Sequence, residues 1–248
     1  MPNILLLRLR GPMQSWGVSS RFSIRDTGKE PSKSGIVGLL CAALGISRDD
    51  ANINNPQFEK LTRLKMGVRV LSEGVMQKDY HTAQNVAKAD GGIKDTELST
   101  RWYLADADFI VGLESDELQT LENLQNALKN PKWQLFLGRK AFPAALPVHF
   151  REGVFQGKSL EFLTATEDGL NEILRTYAKD LGLKPQNGHE QRIVLENSDG
   201  TEVRQDVPLD FAARRFSIRR VSTGFLKTKG GETDDGNLSD KNGSEPAV

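Results

Sequence analysis

Cysteine is nearly missing: Cys41 is the only one in 248 residues. That excludes an intramolecular disulfide framework and any zinc site built on a cysteine cluster. Long hydrophobic runs are missing as well, since no apolar stretch approaches the ~18 residues of a membrane span. The opening MPNILLLRLRGP lacks the basic first region of an export signal, and Arg8 and Arg10 interrupt the run after Ile4 to Leu7. No signal peptide is expected. Net charge is zero, with 33 Lys and Arg against 33 Asp and Glu. No repeat of solenoid length is visible. What remains is a soluble, cytoplasmic, globular chain of one large or two small domains, at ~150 residues per domain. It is long enough to bury a real core, so disorder throughout is excluded.

The zero balance hides segregation. Residues 8–33 carry Arg8, Arg10, Arg21, Arg25, Lys29 and Lys33 against Asp26 and Glu30. Residues 204–229 carry five arginines and two lysines against Asp206 and Asp210. Residues 231–248 have the opposite sign, with Glu232, Asp234, Asp235, Asp240 and Glu245 against Lys241. Two basic segments near opposite ends of the chain make a polyanion footprint if they fold side by side, and two solvated faces if they do not. The stretch 228–248 has almost no apolar content and is expected to be a disordered acidic tail.

Periodicity indicates an α+β chain. Ile4 to Arg10 alternates as a strand, with Leu5, Leu7 and Leu9 on one face. Ser34 to Leu44 has helical spacing, with Gly45 at the C-cap position. A short helix at Phe58–Leu64 precedes a strand at Met66–Leu71. Residues 73–101 are polar, without a sustained period, and too long for an ordinary loop. A strand at Asp108–Leu113, a helix at Glu117–Lys129 and a strand at Trp133–Leu137 complete a β-α-β-insertion-β-α-β order, that of a ferredoxin-like sheet. This domain spans 1–146, with the insertion at about 73–101. A small β-rich lobe follows at 147–227, with a helix at Leu170–Leu181 and strands at Arg192–Glu196, Glu202–Pro208 and Phe216–Val221.

Four chain-distant segments can carry chemistry. In Gly11-Pro12-Met13-Gln14-Ser15-Trp16-Gly17, glycines bracket a turn that offers backbone N–H groups and an aromatic plate to a phosphate and a base. A tryptophan plugging the core beneath that turn is the alternative. The stretch 27–35 lacks the terminal Gly-Lys-Ser/Thr of a nucleotide-binding loop, so nucleotide hydrolysis is excluded. Ser32, Lys33 and Ser34 still open a helix, where free N–H groups and the dipole attract an anion; plain N-capping is the competing reading. Asp79-Tyr80-His81-Thr82 joins a ring, an imidazole and a carboxylate. Tyr80 and His81 could move protons at a ribose 2′-OH, or stack on and bond a base, or simply fold the insertion back. His149 and His189 have no ligand spacing with His81, so no metal and no cofactor are expected. Gly138, Arg139 and Lys140 follow a strand end in a spacing suited to phosphates, and Arg214 and Arg215 add fork-shaped donors.

Taken together, LLRLRGPMQSWG at 5–17, RDTGKEPSKSGIVGLLCAALGISRDD at 25–50, KDYHT at 78–82 and FLGRKAFP at 136–143 resemble the CasD family, a Cascade subunit of type I-E CRISPR systems that caps the 5′ end of the guide RNA. The resemblance spans about residues 3–225 and is strongest before residue 50 and around 136–143. It implies a RAMP-type protein: a ferredoxin-like (RRM-type) domain with an inserted thumb at 73–101 and a small C-terminal domain. It further implies binding of the crRNA 5′ handle, contacts with the backbone subunit CasC and the large subunit CasA, and target DNA met through the assembled complex. The site is expected to comprise Gln14, Ser15, Trp16, Arg25, Ser32, Lys33, Ser34, Tyr80, His81, Gly138, Arg139, Lys140, Arg214 and Arg215, without catalysis. The alternative is a metal-independent endoribonuclease that processes precursor crRNA, as in a related subtype. Arg8 and Arg10 stand on the first strand in place of stacking aromatics, so an RRM-like fold would not mean RRM-like binding.

Overall fold

The structure is a computed structural model that describes residues 1–17, 23–88, 90–165, 170–180 and 190–227. Its elements run β1 (Asn3–Arg10), β2 (Met13–Gln14), β3 (Ile24–Arg25), α1 (Lys33–Leu44), α2 (Pro56–Arg63), β4 (Lys65–Ser72), β5 (Val75–Ala87), β6 (Ile93–Ala105), β7 (Asp108–Ser115), α3 (Leu118–Lys129), β8 (His149–Gln156), a 3₁₀ turn at Leu160–Thr164, α4 (Leu170–Asp180), β9 (Glu190–Glu196), β10 (Glu202–Asp210) and β11 (Arg215–Lys227). Among the described residues, seven strands form one sheet in the order β10-β11-β9-β4-β7-β1-β8. Every neighbouring pair in it is antiparallel.

β1 explains why the molecule has two apolar layers. Its residues alternate across the pleat, so Leu5, Leu7 and Leu9 join the large core under α1, α2 and α3. Ile4 and Leu6 face the other way and pack with Ile110, Phe150, Leu163 and Leu170 beneath the 3₁₀ turn and α4. Arg8 shares that second face, where it makes a two-pronged ion pair with Asp108, at 3.1 and 2.8 Å. Arg69 of β4 is also fully buried. Its guanidinium donates to the Gln191 and Asn171 side chains and to the Leu163 and Ala165 carbonyls, and burial pushes its pKa down to about 10.

Helix boundaries follow their caps. Ser32 caps α1 through Gly35 N–H, and Gly45 ends it in the left-handed conformation, as its position in the sequence predicts. The strand expected at Trp133–Leu137 is absent. The amides of Lys132 and Trp133 instead donate to the Ala43 and Ala42 carbonyls, satisfying orphan acceptors at the end of α1. Leu135 and Leu137 then reach the core from a loop. The place beside β1 is filled by β8, so segment 147–227, expected as a β-rich lobe, supplies β8 and β9–β11 to the same sheet. Where the insertion at 73–101 is expected, β5 and β6 pair as a long hairpin, with the Gly91 amide donating to the Lys88 carbonyl at its turn. The acidic tail 228–248 and His189 lie outside the described residues.

Among the described residues, no helix is long and apolar enough to cross a membrane. Cys41 is buried on α1, and desolvation pushes its thiol up to about 12. Only the thiolate reacts with thiol reagents. We therefore expect negligible Ellman labelling of the native chain at about pH 8 and complete labelling in denaturant; rapid native labelling would contradict the packing of α1.

Candidate nucleic-acid interface

β1, β4 and β11 point the same way, because each pair is separated by an odd number of antiparallel neighbours. Their ends at Arg10, Ser72 and Lys227 consequently share one end of the sheet. From that end leave the Gly11–Gly17 loop and the β5–β6 hairpin. β6 is the platform on which they meet: it pairs with β5 along its length, with β2 at Leu104 and Ala105, and in parallel with β3 at Thr100 and Arg101.

The parallel pairing sets Arg25 beside Arg101, on strands ~4.8 Å apart. Asp79 lies opposite Arg101 on the other side. Arg139 arrives from the loop after α3 and donates from Nη2 to the carbonyls of Trp102, at 2.8 Å, and Arg25, at 3.4 Å. Its guanidinium also lies over the Phe142 ring, 5.4 Å from the centroid. Burial, and then the neighbouring Arg101, pulls its pKa below the ordinary arginine value, with Asp79 opposing and Arg25 adding to the effect. Three guanidinium groups from chain-distant segments thus crowd together against Asp79 and Asp26. Lys140 is exposed beside them.

Gly138 sets this geometry. It has a φ of 95°, and a Cβ there would overlap the Ser15 carbonyl oxygen. The two loops can therefore touch, with the Ser15 amide donating to the Leu137 carbonyl at 3.1 Å and the Ser15 hydroxyl to the Trp102 carbonyl at 3.3 Å. On the hairpin, residues directly opposite share a face. Lys78 lies across from Trp102, 5.8 Å from its ring, and Tyr80 lies beyond it, 67% exposed. Ile24, Met76 and Leu98 are exposed on that same face. His81 falls on the opposite face, with Asp79 and Arg101, and its Nδ1 is buried without a hydrogen-bond partner.

Several residues expected at the ligand have internal work. Gln14 and Trp16 are buried: Gln14 donates to the Leu9 and Ala107 carbonyls, and the Trp16 indole N–H donates to Gln14 Oε1. Trp16 lies against the start of α1, where a Cβ on Gly35 would come within 2.8 Å of its ring. That contact links the GPMQSWG and KSG motifs through packing. Ser32 caps α1 and contacts the Ser34 hydroxyl at 3.3 Å.

The anion expected at the start of α1 exists, but the protein supplies it. The Lys33 amide donates to Asp206, at 2.7 Å, and its ammonium to both oxygens of Glu196, at 3.0 Å. Arg219 bonds the same two carboxylates. Burial holds the Lys33 pKa below its usual value, with Glu196 opposing. Arg214 and Arg215 stand elsewhere. Their turn begins at Phe211, whose amide donates to Ala51 and whose ring approaches Gly38, so it lies along α1 and the loop after it, away from the Ser32 cap. Arg215 pairs with Asp210 at 3.3 Å.

The convergence at the end of the sheet therefore holds Ser15, Arg25, Gly138, Arg139 and Lys140, with Tyr80 and His81 farther along the hairpin. Lys78, Arg101 and Trp102 escaped the reading of the sequence. The Gly91-Gly92 turn between two segments of equal length was the signal for a hairpin, and hence for the pairing that brings them together.

The family described as CRISPR-associated protein (Cas_Cas5) matches residues 4–222. The chain is 33% identical over 157 residues to the "CRISPR system Cascade subunit CasD" of Escherichia coli (strain K12), covering 60% of this chain and 70% of that protein. A solved structure titled "Crystal structure of Cas protein" superposes with a TM-score of 0.63 at 34% identity, covering 92% of this chain and 98% of the other. A chain of a "CRISPR RNA-guided surveillance complex" superposes with a TM-score of 0.67 at 29% identity, covering 91% and 90%. The match over residues 4–222, with these two similarities beside it, establishes that this chain belongs to the Cas5 family of CRISPR-associated proteins.

Proposed function

We propose that the chain is a non-catalytic, crRNA-binding subunit of a Cascade-type surveillance complex, and that it anchors the 5′ handle at the hairpin base. Arg25, Arg101 and Arg139 take backbone phosphates, with Lys140 beside them. Tyr80 and Trp102, on the other face of the hairpin from Arg101, supply aromatic faces to bases splayed around its edge, and the outer hairpin is the thumb that meets the backbone subunit CasC and the large subunit CasA. The order β4-β7-β1-β8, with helices after β1 and β7, is read as the ferredoxin-like (RRM-type) half of a RAMP protein.

One observation carries this reading: three arginines are held together by the fold. Like charges on neighbouring strands are unfavourable by themselves, and a polyanion reverses the sign of that term. The endoribonuclease alternative would need Tyr80 and His81 to act on one bond, and adjacent residues of a strand point to opposite faces.

The test is reconstitution with a CRISPR repeat RNA in EDTA. Intact RNA retained by the protein is expected, with Arg139→Glu lowering its affinity by at least tenfold, since a hydrogen bond to a charged group is worth about 1.5–3 kcal/mol. Arg139→Ala should flatten the log–log salt dependence by roughly one phosphate contact. Unchanged affinity in both variants would remove the cluster as the site. Discrete cleavage, lost in His81→Ala, would replace the scaffold by the nuclease.

A further inference from the structure

The hairpin stands apart from the main sheet. β5 and β6 belong to the four-stranded sheet, and among the described residues no strand of the seven-stranded sheet pairs with either. The chain passes between the two sheets at one corner. Pairing of β4 with β7 runs up to Ser72 and Asp108, and pairing of β5 with β6 resumes at Val75 and Ala105. Between them lie only Glu73-Gly74 and Asp106-Ala107, and both crossings turn left-handed, with φ of 68° at Gly74 and 56° at Asp106. Two short irregular crossings at one level make a hinge line. Each crossing has its own tie to the body. At the β6–β7 crossing, the Asp106 amide donates to the Pro12 carbonyl at 3.2 Å and the Gln14 side chain to the Ala107 carbonyl at 2.8 Å. The β4–β5 crossing is held by an ion pair. Arg192 of β9 donates from Nε and Nη2 to the two oxygens of Glu73, at 2.7 and 2.9 Å, and from Nη1 to Glu30, at 2.9 Å. A forked guanidinium on a carboxylate fixes direction as well as distance. Glu30 lies between Arg25 and α1, and Glu73 precedes β5 and Asp79. One side chain of the body thus grips both chain segments that lead into the arginine cluster.

We propose that Arg192 is a positioning residue for the RNA site: its pair with Glu73 latches the hairpin at the hinge, and so holds Arg25 and Arg101 against Arg139. This rests on the cluster being the RNA site. Arg25 and Arg101 stand on the hairpin's own sheet, whereas Arg139 comes from the loop after α3 and reaches that sheet through the Trp102 and Arg25 carbonyls. With the latch open the hairpin samples other angles. Only the closed molecules then present all three guanidinium groups together, and the apparent affinity falls in proportion to their fraction. Linkage works in both directions, so an RNA that bridges the hairpin and the body closes the arm in turn.

The experiment compares the full chain with its Glu73→Gln and Arg192→Met variants. Glu73→Gln is the cleaner of the two. The Glu73 side chain is 51% exposed, so its charge adds little to stability and the urea midpoint should not move. Arg192→Met also releases Glu30. The angle of the arm is read by pulsed electron resonance between spin labels at Thr96→Cys, on β6, and Gln119→Cys, on α3; Cys41 is buried and stays unlabelled. The chain with its latch should give one narrow distance distribution and both latch variants a broad one, which a bound CRISPR repeat RNA narrows again. RNA affinity should fall about three- to tenfold in both variants, as the closed fraction falls. A distribution that stays narrow in both variants overturns the latch. So does broadening that leaves RNA affinity unchanged while Arg139→Glu lowers it. Broadening with RNA affinity unchanged in Arg139→Glu as well retains the latch and overturns the RNA site.

Discussion

Replacing Glu196 by alanine should lower the free energy of unfolding by about 3–5 kcal/mol, measured by urea denaturation. The reason lies in what the carboxylate leaves behind. Lys33 and Arg219 have side chains only 4% and 7% exposed, and Glu196 faces both, at 3.0 and 3.4 Å. It also accepts the Met66 amide at 3.1 Å. Removing one partner from a buried ion network strands a cation in a medium that solvates it poorly, a cost larger than the net worth of the intact network. Glu196→Gln preserves the Met66 bond and should recover a minor part of the loss. Pairing Lys33→Met with Glu196→Gln removes both charges and should recover most of it. The exposed pair Lys60–Glu117, at 2.7 Å, is the control: Glu117→Ala should barely move the midpoint. If Glu196→Ala were equally silent, the network would not be the clamp that holds β9–β11 to α1.

The second large effect is expected at Gly138. Gly138→Ala should cost about 2–4 kcal/mol of stability, combining a left-handed backbone with a lost loop–loop hydrogen bond. It should also weaken RNA binding at least tenfold, because the loop it displaces carries Arg139. Gly157 isolates the backbone contribution. Its φ is 67°, yet nothing lies within 4 Å of a Cβ there. Gly157→Ala should therefore cost about 1 kcal/mol and leave RNA binding alone. Similar behaviour of the two variants would show that the contact between the Ser15 and Gly138 loops is dispensable. Glu196→Ala and Gly138→Ala also differ from each other: the first weakens the fold and leaves the affinity of the folded protein intact, whereas the second changes both.

How far the residues could be read in advance depends on the range of the interactions that place them. The alternation in LLRLR, the spacing of Ile36, Leu39, Leu40 and Ala43, and Gly45 after them are local patterns, and each predicted element is present. Trp133–Leu137 failed because an apolar run says only that residues seek burial. Leu135 and Leu137 satisfy that need from a loop, while the backbone before them caps α1. Lys33 shows a related limit. A lysine at a helix start predicts an anion nearby, and nothing local reveals that the anion is Asp206, supplied from 173 residues away.

By itself the sequence determined the composition class, the main strands and helices, and a chain of motifs dense enough to place it among CRISPR-associated proteins. It also determined that the basic loops and the acidic stretch are separate blocks. Only the tertiary structure decided which charges face outward. Lys33 and Arg219 are spent on internal carboxylates, whereas Arg25, Arg101 and Arg139 are gathered at one end of the sheet. That choice is made by strand pairing and by the direction in which β1, β4 and β11 run, which are long-range contacts between segments whose local patterns carry no record of one another.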